Sequence, residues 1–220
     1  MAFLPGSGLL IAVLAILLVS GAQAGQTIDR LVAVVGGDPI FLSDVRQAEK
    51  LNLIDPAGSL ALVTAMTGAP AGQMPLEQLI NRRLVLAEVT RYLQPAPPAA
   101  DIDRAVETWS ARFSSGAERD AAIDGAAGGS RAAVRAFLAD SLRIDRYLDQ
   151  RFTAAAQPTR EEVRAFYQAN LGLFAPASFD EAEDSVRARL SDTRRLALVR
   201  DWLTALRNRA TVQVVSSERD

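Results

Sequence analysis

An apolar stripe in the last quarter of the chain constrains the fold more than any other sequence feature. Ser178 and Glu181 have the spacing of a capping box, which predicts that a helix begins there. The apolar side of this helix follows a mean step of about 3.4 residues to about residue 209. Its positions are 179, 182, 186, 190, 193, 196, 199, 203, 206 and 210. So long and narrow a stripe is expected to pack along a partner helix, either within the chain or across a homodimer.

The remainder of the chain after residue 43 is predicted to form shorter helices, which glycine and proline separate. Ser43, Ser130 and Thr159 are the residues expected to cap three of them. Apolar residues at helical spacing support each assignment. The first of these predicted helices begins at residue 43. The others span about 76–93, 101–113, 117–123, 130–152 and 159–170. The fold class is therefore predicted to be mostly α.

Short β-strands are predicted only in two segments, one near residue 30 and one near residue 213. Ile28 to Val35 is rich in β-branched residues, and Gly36-Gly37 suits the tight turn of a hairpin with the next short apolar segment. The segment 211–215 also has the pattern of a strand but has no local partner. We therefore expect it to pair with the N-terminal hairpin in a small β element.

The composition excludes most chemistry that needs a titratable side chain near neutral pH. The 220 residues include no histidine and no cysteine, so histidine-dependent triads, thiolate nucleophiles and the usual zinc or iron–sulfur sites are excluded. The net charge of −2 argues against a nucleic-acid-binding protein. We expect no catalytic residue, no cofactor and no metal.

The first 24 residues have the pattern of a signal peptide. The apolar run Leu9 to Val19 is only about 16 Å long as a helix, too short to span a bilayer core of about 30 Å. Ala22 and Ala24 fit a signal-peptidase site, with Gly25 as the mature N-terminus. The start of the chain lacks lysine and arginine, so an uncleaved anchor is the alternative. We expect residues 25–220 to form one exported domain with no stable membrane insertion after cleavage.

Four blocks resemble the SurA family of periplasmic chaperones. Thr27–Val45 (TIDRLVAVVGGDPIFLSDV) is similar to the opening strand, turn and serine-capped helix of that family. Leu79–Leu84, Thr159–Asn170 and Trp202–Val215 are similar to its later blocks. The resemblance implies a SurA/trigger-factor-like helical chaperone core, with an N-terminal part over 27–157 and C-terminal elements over 158–215. It also implies a periplasmic location and unfolded outer-membrane protein precursors as partners.

The chain departs from this family where a parvulin prolyl-isomerase domain usually lies. Only Leu171 to Ala177 separate the two helices that would flank it, whereas a domain needs at least about 50 residues. The histidines of a parvulin active site are also missing. The sequence therefore favours a holdase without catalysis. The alternatives are a prolyl isomerase and a non-catalytic adaptor for one folded partner.

A holdase must leave apolar surface accessible, because unfolded polypeptides bind mainly through apolar burial. The segment 56–76 carries no charge and is interrupted by glycine and proline. Met66 and Met74 in this segment are adaptable contact residues. Phe174 lies near the place where the parvulin domain of the family would be. The candidate client-binding residues are Leu60, Leu62, Val63, Met66, Met74 and Phe174.

Overall fold

The computed structural model describes residues 29–215, which form a mostly helical protein with one small sheet. Every helix predicted from the sequence is present, with bounds that differ by a few residues. The cap expected at Ser43 is wrong, because the first helix begins at Leu42 with Phe41 at its N-cap, and Ser43 bonds to Asp29 instead. The strands are β1 (Leu31–Val35), β2 (Asp38–Phe41) and β3 (Val212–Val214). The helices are α1 (Leu42–Lys50), α2 (Ser59–Ala65), α3 (Met74–Arg91), α4 (Ala99–Ser110), α5 (Gly116–Asp124), α6 (Arg131–Phe152), α7 (Arg160–Ala169), α8 (Leu171–Phe174) and α9 (Phe179–Arg209).

The sheet joins the two ends of the described chain, as predicted. Its order is β2-β1-β3 with antiparallel neighbours, and Ala33 of β1 lies opposite Val214 of β3. Gly36 and Gly37 adopt φ angles of +60° and +95°, the left-handed conformation that a tight hairpin turn requires. The Gly36 amide also donates to the carbonyl of Thr211 at 2.9 Å. The hairpin turn is therefore joined to the segment that leads into β3.

The main hydrophobic core lies between the sheet and helices α1, α2, α3, α6 and α9. Helix α3 passes through it, and Ile80, Val85 and Val89 are completely buried. Leu148 of α6 and Val199 of α9 close the core from two further directions, and both are also completely buried. Because α3 has neighbours on several sides, its apolar residues are distributed around the helix rather than along one stripe.

The segment 56–76 contains the packed helix α2. Val63 and Thr64 of α2 are completely buried, and Asn81 of α3 donates a hydrogen bond of 2.9 Å to the Thr64 hydroxyl. The inner side of α2 is therefore part of the main core.

A second cluster joins α4, α5 and α6 to the loop that follows α1. Trp109 lies in its centre and donates from its indole nitrogen to the carbonyl of Leu51 at 2.6 Å. Ile123, Val134 and Leu138 complete the contact. This cluster fixes α4 opposite α6.

Helix α9 packs against several helices rather than along a single partner. Ala182 and Val186 in its first half pack on Val163 of α7, whereas Leu203 and Leu206 in its second half enter the main core. Thr193, midway along the stripe, is exposed. A spacing close to the heptad does not require one partner, because the contact face of a straight helix rotates slowly along its length. The expectation that this helix packs along one partner helix is therefore wrong.

Candidate functional site

An open cleft lies between α2, α3, α4 and α6, beside the loop that follows α1. Its volume is about 230 Å³. Most of its wall is apolar, and we refer to it as the apolar cleft. The large apolar residues that line it are Leu53, Ile54, Leu60, Phe137, Leu138, Leu142 and Ile144.

Helix α6 supplies one wall of the apolar cleft through the spacing of its residues. Leu138 and Leu142 are one helical turn apart, as are Phe137, Ser141 and Asp145. Residues four apart project from the same side of a helix. The result is an apolar wall that carries one hydroxyl and one carboxylate.

Arg82 of α3 is the most unusual group in the wall, because only 9% of its surface is exposed. It donates to the Ser141 hydroxyl at 2.9 Å and to the carbonyl of Phe137 at 2.7 Å. Its guanidinium carbon lies 3.6 Å from the centroid of the Phe137 ring. Burial lowers the pKa of Arg82 to about 10, while Asp140 and Asp145 act in the opposite direction. The side chain therefore remains protonated at neutral pH.

Charged residues lie where the apolar cleft meets solvent. Arg112 pairs with Asp55 at 2.8 Å and donates to the carbonyl of Asn52. Surrounding protein atoms and the charge of Asp149 raise the pKa of Asp145 to about 6, although part of this side chain reaches solvent. The solvent side of the apolar cleft therefore carries acids, whereas its deeper wall carries Arg82.

The candidate client-binding residues of α2 divide between its two sides. Leu60 is half-buried and lines the apolar cleft. Leu62 and Met66 are exposed by 40% and 46% and lie one turn apart on the outer side. Val63 is completely buried in the main core. It is therefore removed from the candidate surface, since a client cannot contact it without opening α2.

The other two candidates lie outside the apolar cleft. Met74 is half-buried at the first position of α3. Phe174 is half-buried against Phe166 and Tyr167, with ring centroids 6.3 and 5.9 Å away, and belongs to the α7–α9 cluster. The structure therefore places Leu62 and Met66 together on one accessible side of α2 and its C-cap, with Leu60 in the apolar cleft. The exposed apolar side chains of α8 are instead Leu171 and Leu173.

Sequence reasoning missed Arg82, Phe137 and Asp145 as site residues. In the sequence Arg82 follows Leu79 and Ile80 in a predicted helix, but Arg83 beside it has nearly the same setting, so the sequence does not indicate which arginine is buried. The significance of Arg82 depends on Phe137, which is distant in sequence. The expected cleavage residues Ala24 and Gly25 lie outside the described residues.

Comparison with protein-family models and with curated protein sequences finds no match to this chain. Within residues 29–215, no helix is long and apolar enough to span a membrane. The same part of the chain holds no group of three or more side chains placed to bind a metal ion. Interpretation of the site therefore depends on its geometry.

Proposed function

We propose that this protein is a SurA-like holdase, exported to the periplasm, that binds unfolded polypeptides without catalysis. Its clients are outer-membrane protein precursors. The location follows from the signal-like run Leu9 to Val19 and the site at Ala24, and the client class follows from the resemblance carried by Thr27–Val45.

The observation that carries this proposal is the apolar cleft. It presents Leu60, Phe137 and Leu142 around a volume of about 230 Å³ that is open to solvent. A cavity of this size accepts one large apolar side chain, and its open side allows the rest of a polypeptide to remain outside. Leu62 and Met66 add accessible apolar surface on the outer side of α2.

The strength expected of such contacts suits a chaperone that must release its clients. Burial of one large apolar side chain contributes about 1.5–3 kcal/mol. A dissociation constant of 1 mM already requires about 4 kcal/mol, so one occupied cleft binds weakly and releases quickly. Additional contacts along the same client raise the overall affinity through multivalency. No cofactor is needed for this mechanism.

The test is suppression of aggregation when a denatured outer-membrane protein is diluted into buffer with the purified protein. Ala105 lies in the wall of the apolar cleft, so Ala105→Phe is designed to fill it. Ala100 lies on the exposed start of the same helix, and Ala100→Phe is the matched control. We expect the wild type and Ala100→Phe to suppress aggregation and Ala105→Phe to suppress it much less. Circular dichroism verifies that both variants fold.

A prolyl-isomerisation assay on the same samples separates the holdase from the isomerase alternative. Aggregation suppression without isomerisation supports the proposal. Isomerisation at a rate above the spontaneous one contradicts it. Absence of suppression by the wild type, combined with tight capture of one folded protein, replaces the holdase with an adaptor.

A further inference from the structure

Arg82 is a buried cation for which the described residues supply no carboxylate within ion-pair distance. Burying a charge without an opposite charge is costly, and buried arginines are therefore normally paired. Arg112, by contrast, is more exposed and does pair, with Asp55 at 2.8 Å. The absence of a carboxylate beside Arg82 within residues 29–215 is the observation to be explained.

Asp140 and Asp145 favour the charged form of Arg82, but neither lies within ion-pair distance of it. Asp140 is engaged by Arg143 at 3.3 Å. Asp145 makes no ion pair or hydrogen bond within the described part of the chain. The positive charge of the adjacent Arg83 disfavours the charged form of Arg82. The local balance therefore leaves Arg82 available to an additional anion.

The Arg82 guanidinium lines the apolar cleft and retains N–H donors beyond the two that are bonded within the described residues. A guanidinium group carries five N–H donors, and the acceptors found for them among residues 29–215 are Ser141 and the Phe137 carbonyl. Stacking on the Phe137 ring fixes the plane of the remaining donors. A carboxylate accepts two parallel N–H bonds from such a fork.

We propose that the apolar cleft binds the free carboxylate at the C-terminal end of a polypeptide whose last side chain is apolar. The carboxylate lies on Arg82, and the last side chain packs between Leu60, Phe137 and Leu142. This inference rests on the proposed function, since it names which part of a client occupies the apolar cleft.

The size and charge of the apolar cleft favour the end of a polypeptide as its occupant. Its volume of about 230 Å³ is below the range of about 300–1,000 Å³ that is typical of pockets for entire small ligands. One residue fills it, and the preceding residues leave through the open side. Asp55 is paired with Arg112, so the charge that attracts a carboxylate in this cleft is that of Arg82 in its deeper wall. Capture of a terminal carboxylate is a recurrent mode of peptide recognition.

The test compares two forms of one short fluorescent peptide that ends in leucine, one with a free C-terminus and one with a C-terminal amide. Fluorescence anisotropy measures the binding of each to the full protein. We expect the amide to bind roughly tenfold or more weakly, since a charge-assisted hydrogen-bonded pair is lost. Equal affinities for the two peptides overturn the inference, and this comparison requires no variant of the protein.

Two variants assign the discrimination to one residue. Arg82→Gln is expected to bind both peptides with the affinity that the wild type has for the amide. Arg83→Gln removes a neighbouring exposed cation and is expected to retain the full difference. Retention of the difference in Arg82→Gln overturns the inference. Displacement of the free-acid peptide by hexanoate as effectively as by an unlabelled copy also overturns it, because the occupant would then be a free apolar acid.

The inference and the proposed function fail in different ways. If both peptides bind equally while aggregation is still suppressed, the holdase stands and terminal recognition is wrong. If the free-acid peptide is preferred but aggregation is not suppressed, the apolar cleft recognises chain ends and the holdase is wrong.

Discussion

The amide of Asn81 donates a buried hydrogen bond of 2.9 Å to the hydroxyl of Thr64, and this contact joins α3 to α2. The Thr64 hydroxyl in turn donates to the carbonyl of Leu60 at 2.7 Å. Each polar group is therefore satisfied by the next, and the last acceptor belongs to a residue that lines the apolar cleft. The position of α2, and with it one wall of the apolar cleft, depends on this short chain of hydrogen bonds.

Replacing Asn81 with alanine is expected to lower the free energy of unfolding by about 0.5–1.5 kcal/mol, because the buried hydrogen bond to Thr64 is lost while the Thr64 hydroxyl keeps its bond to the Leu60 carbonyl. Urea denaturation followed by circular dichroism measures the change. Asn208→Ala, at an exposed position of α9, is the matched control and is expected to have little effect. In a double-mutant cycle with Thr64→Val, losses that add fully would contradict the coupling described here.

The pairing of β3 with β1 predicts that the end of the chain stabilises its beginning. A protein that ends at Ala210 loses the hydrogen bond between Gly36 and Thr211 and the one between Val215 and Val32. We expect its melting temperature to fall by several degrees, as a loss of about 1–2 kcal/mol produces in a domain of this size. Amide hydrogen exchange in β1 should accelerate as well.

A protein that ends at Val215 is the control for this truncation, because it retains every residue of β3. It is expected to melt with the full-length protein. Equal melting temperatures for the two truncated proteins would show that β3 contributes nothing to the sheet.

The carboxyl of Asp145 predicts a stability that increases on mild acidification. The surrounding protein atoms and the charge of Asp149 raise its pKa in the folded protein to about 6, from an unfolded value of 3.8, although the side chain is exposed. The folded state therefore binds more protons between these values, and this contribution to stability is lost as the pH rises from about 4 to 6. Asp145→Asn should have a higher melting temperature than the wild type at pH 7.5 and the same melting temperature at pH 4. Because the side chain reaches solvent, we expect a smaller difference than a fully buried carboxyl would give.

Removal of another acid tests whether this effect is specific to Asp145. Asp192→Asn, at an exposed position of α9, removes the same net charge. If its melting temperature changes with pH in the same way as that of Asp145→Asn, general charge repulsion is the cause instead.

Glu162 predicts the opposite dependence on pH. Hydrogen bonds from Arg194 and from the backbone of Thr159 lower its folded pKa to about 2. The ionised Glu162 carboxylate therefore stabilises the folded protein fully above the unfolded pKa of 4.5. This stabilisation is lost as the pH falls toward 2. Glu162→Gln should melt below the wild type at pH 7, and the difference should shrink at pH 3. Glu161→Gln, one residue earlier on an exposed position, should show no such convergence.

Neighbouring positions of α2 should separate stability from client binding. Leu62→Ser alters an exposed side chain, so we expect a change in unfolding free energy within about 0.5 kcal/mol and weaker suppression of aggregation. Val63→Thr places a hydroxyl in the main core and is expected to cost about 1–3 kcal/mol. Thermal unfolding and the aggregation assay together distinguish the two. Normal suppression by Leu62→Ser would exclude the outer side of α2 from the client-binding surface.

The features predicted correctly from the sequence are those that depend on nearby residues. The capping box at Thr159 forms as expected, and at Ser178 the backbone N–H and the hydroxyl both donate to the carboxylate of Glu181, three residues away. The turn at Gly36 has the expected conformation for the same reason. One distant contact was also predicted, because the segment 211–215 had a strand pattern and no local partner.

The burial of particular side chains could not be predicted in this way. Val63 and Leu62 are adjacent apolar residues, and only the position of α2 against α3 decides that the first is buried and the second exposed. Phe174 was expected to be accessible, yet it packs on Tyr167, while Leu171 and Leu173 beside it are exposed. A helical period identifies residues that share a side but does not show which side another element covers.

By itself, the sequence determined a mostly helical chain, the strands at its two ends and the absence of histidine and cysteine chemistry. These follow from local propensity, capping and composition, which need no knowledge of distant contacts. Only the tertiary structure decided that Arg82 stacks on Phe137 in the wall of an apolar cleft, because that contact joins helices separated by 55 positions in the chain. The burial of that charge depends on how α3 packs against α6, and packing of this kind is set by the whole core at once.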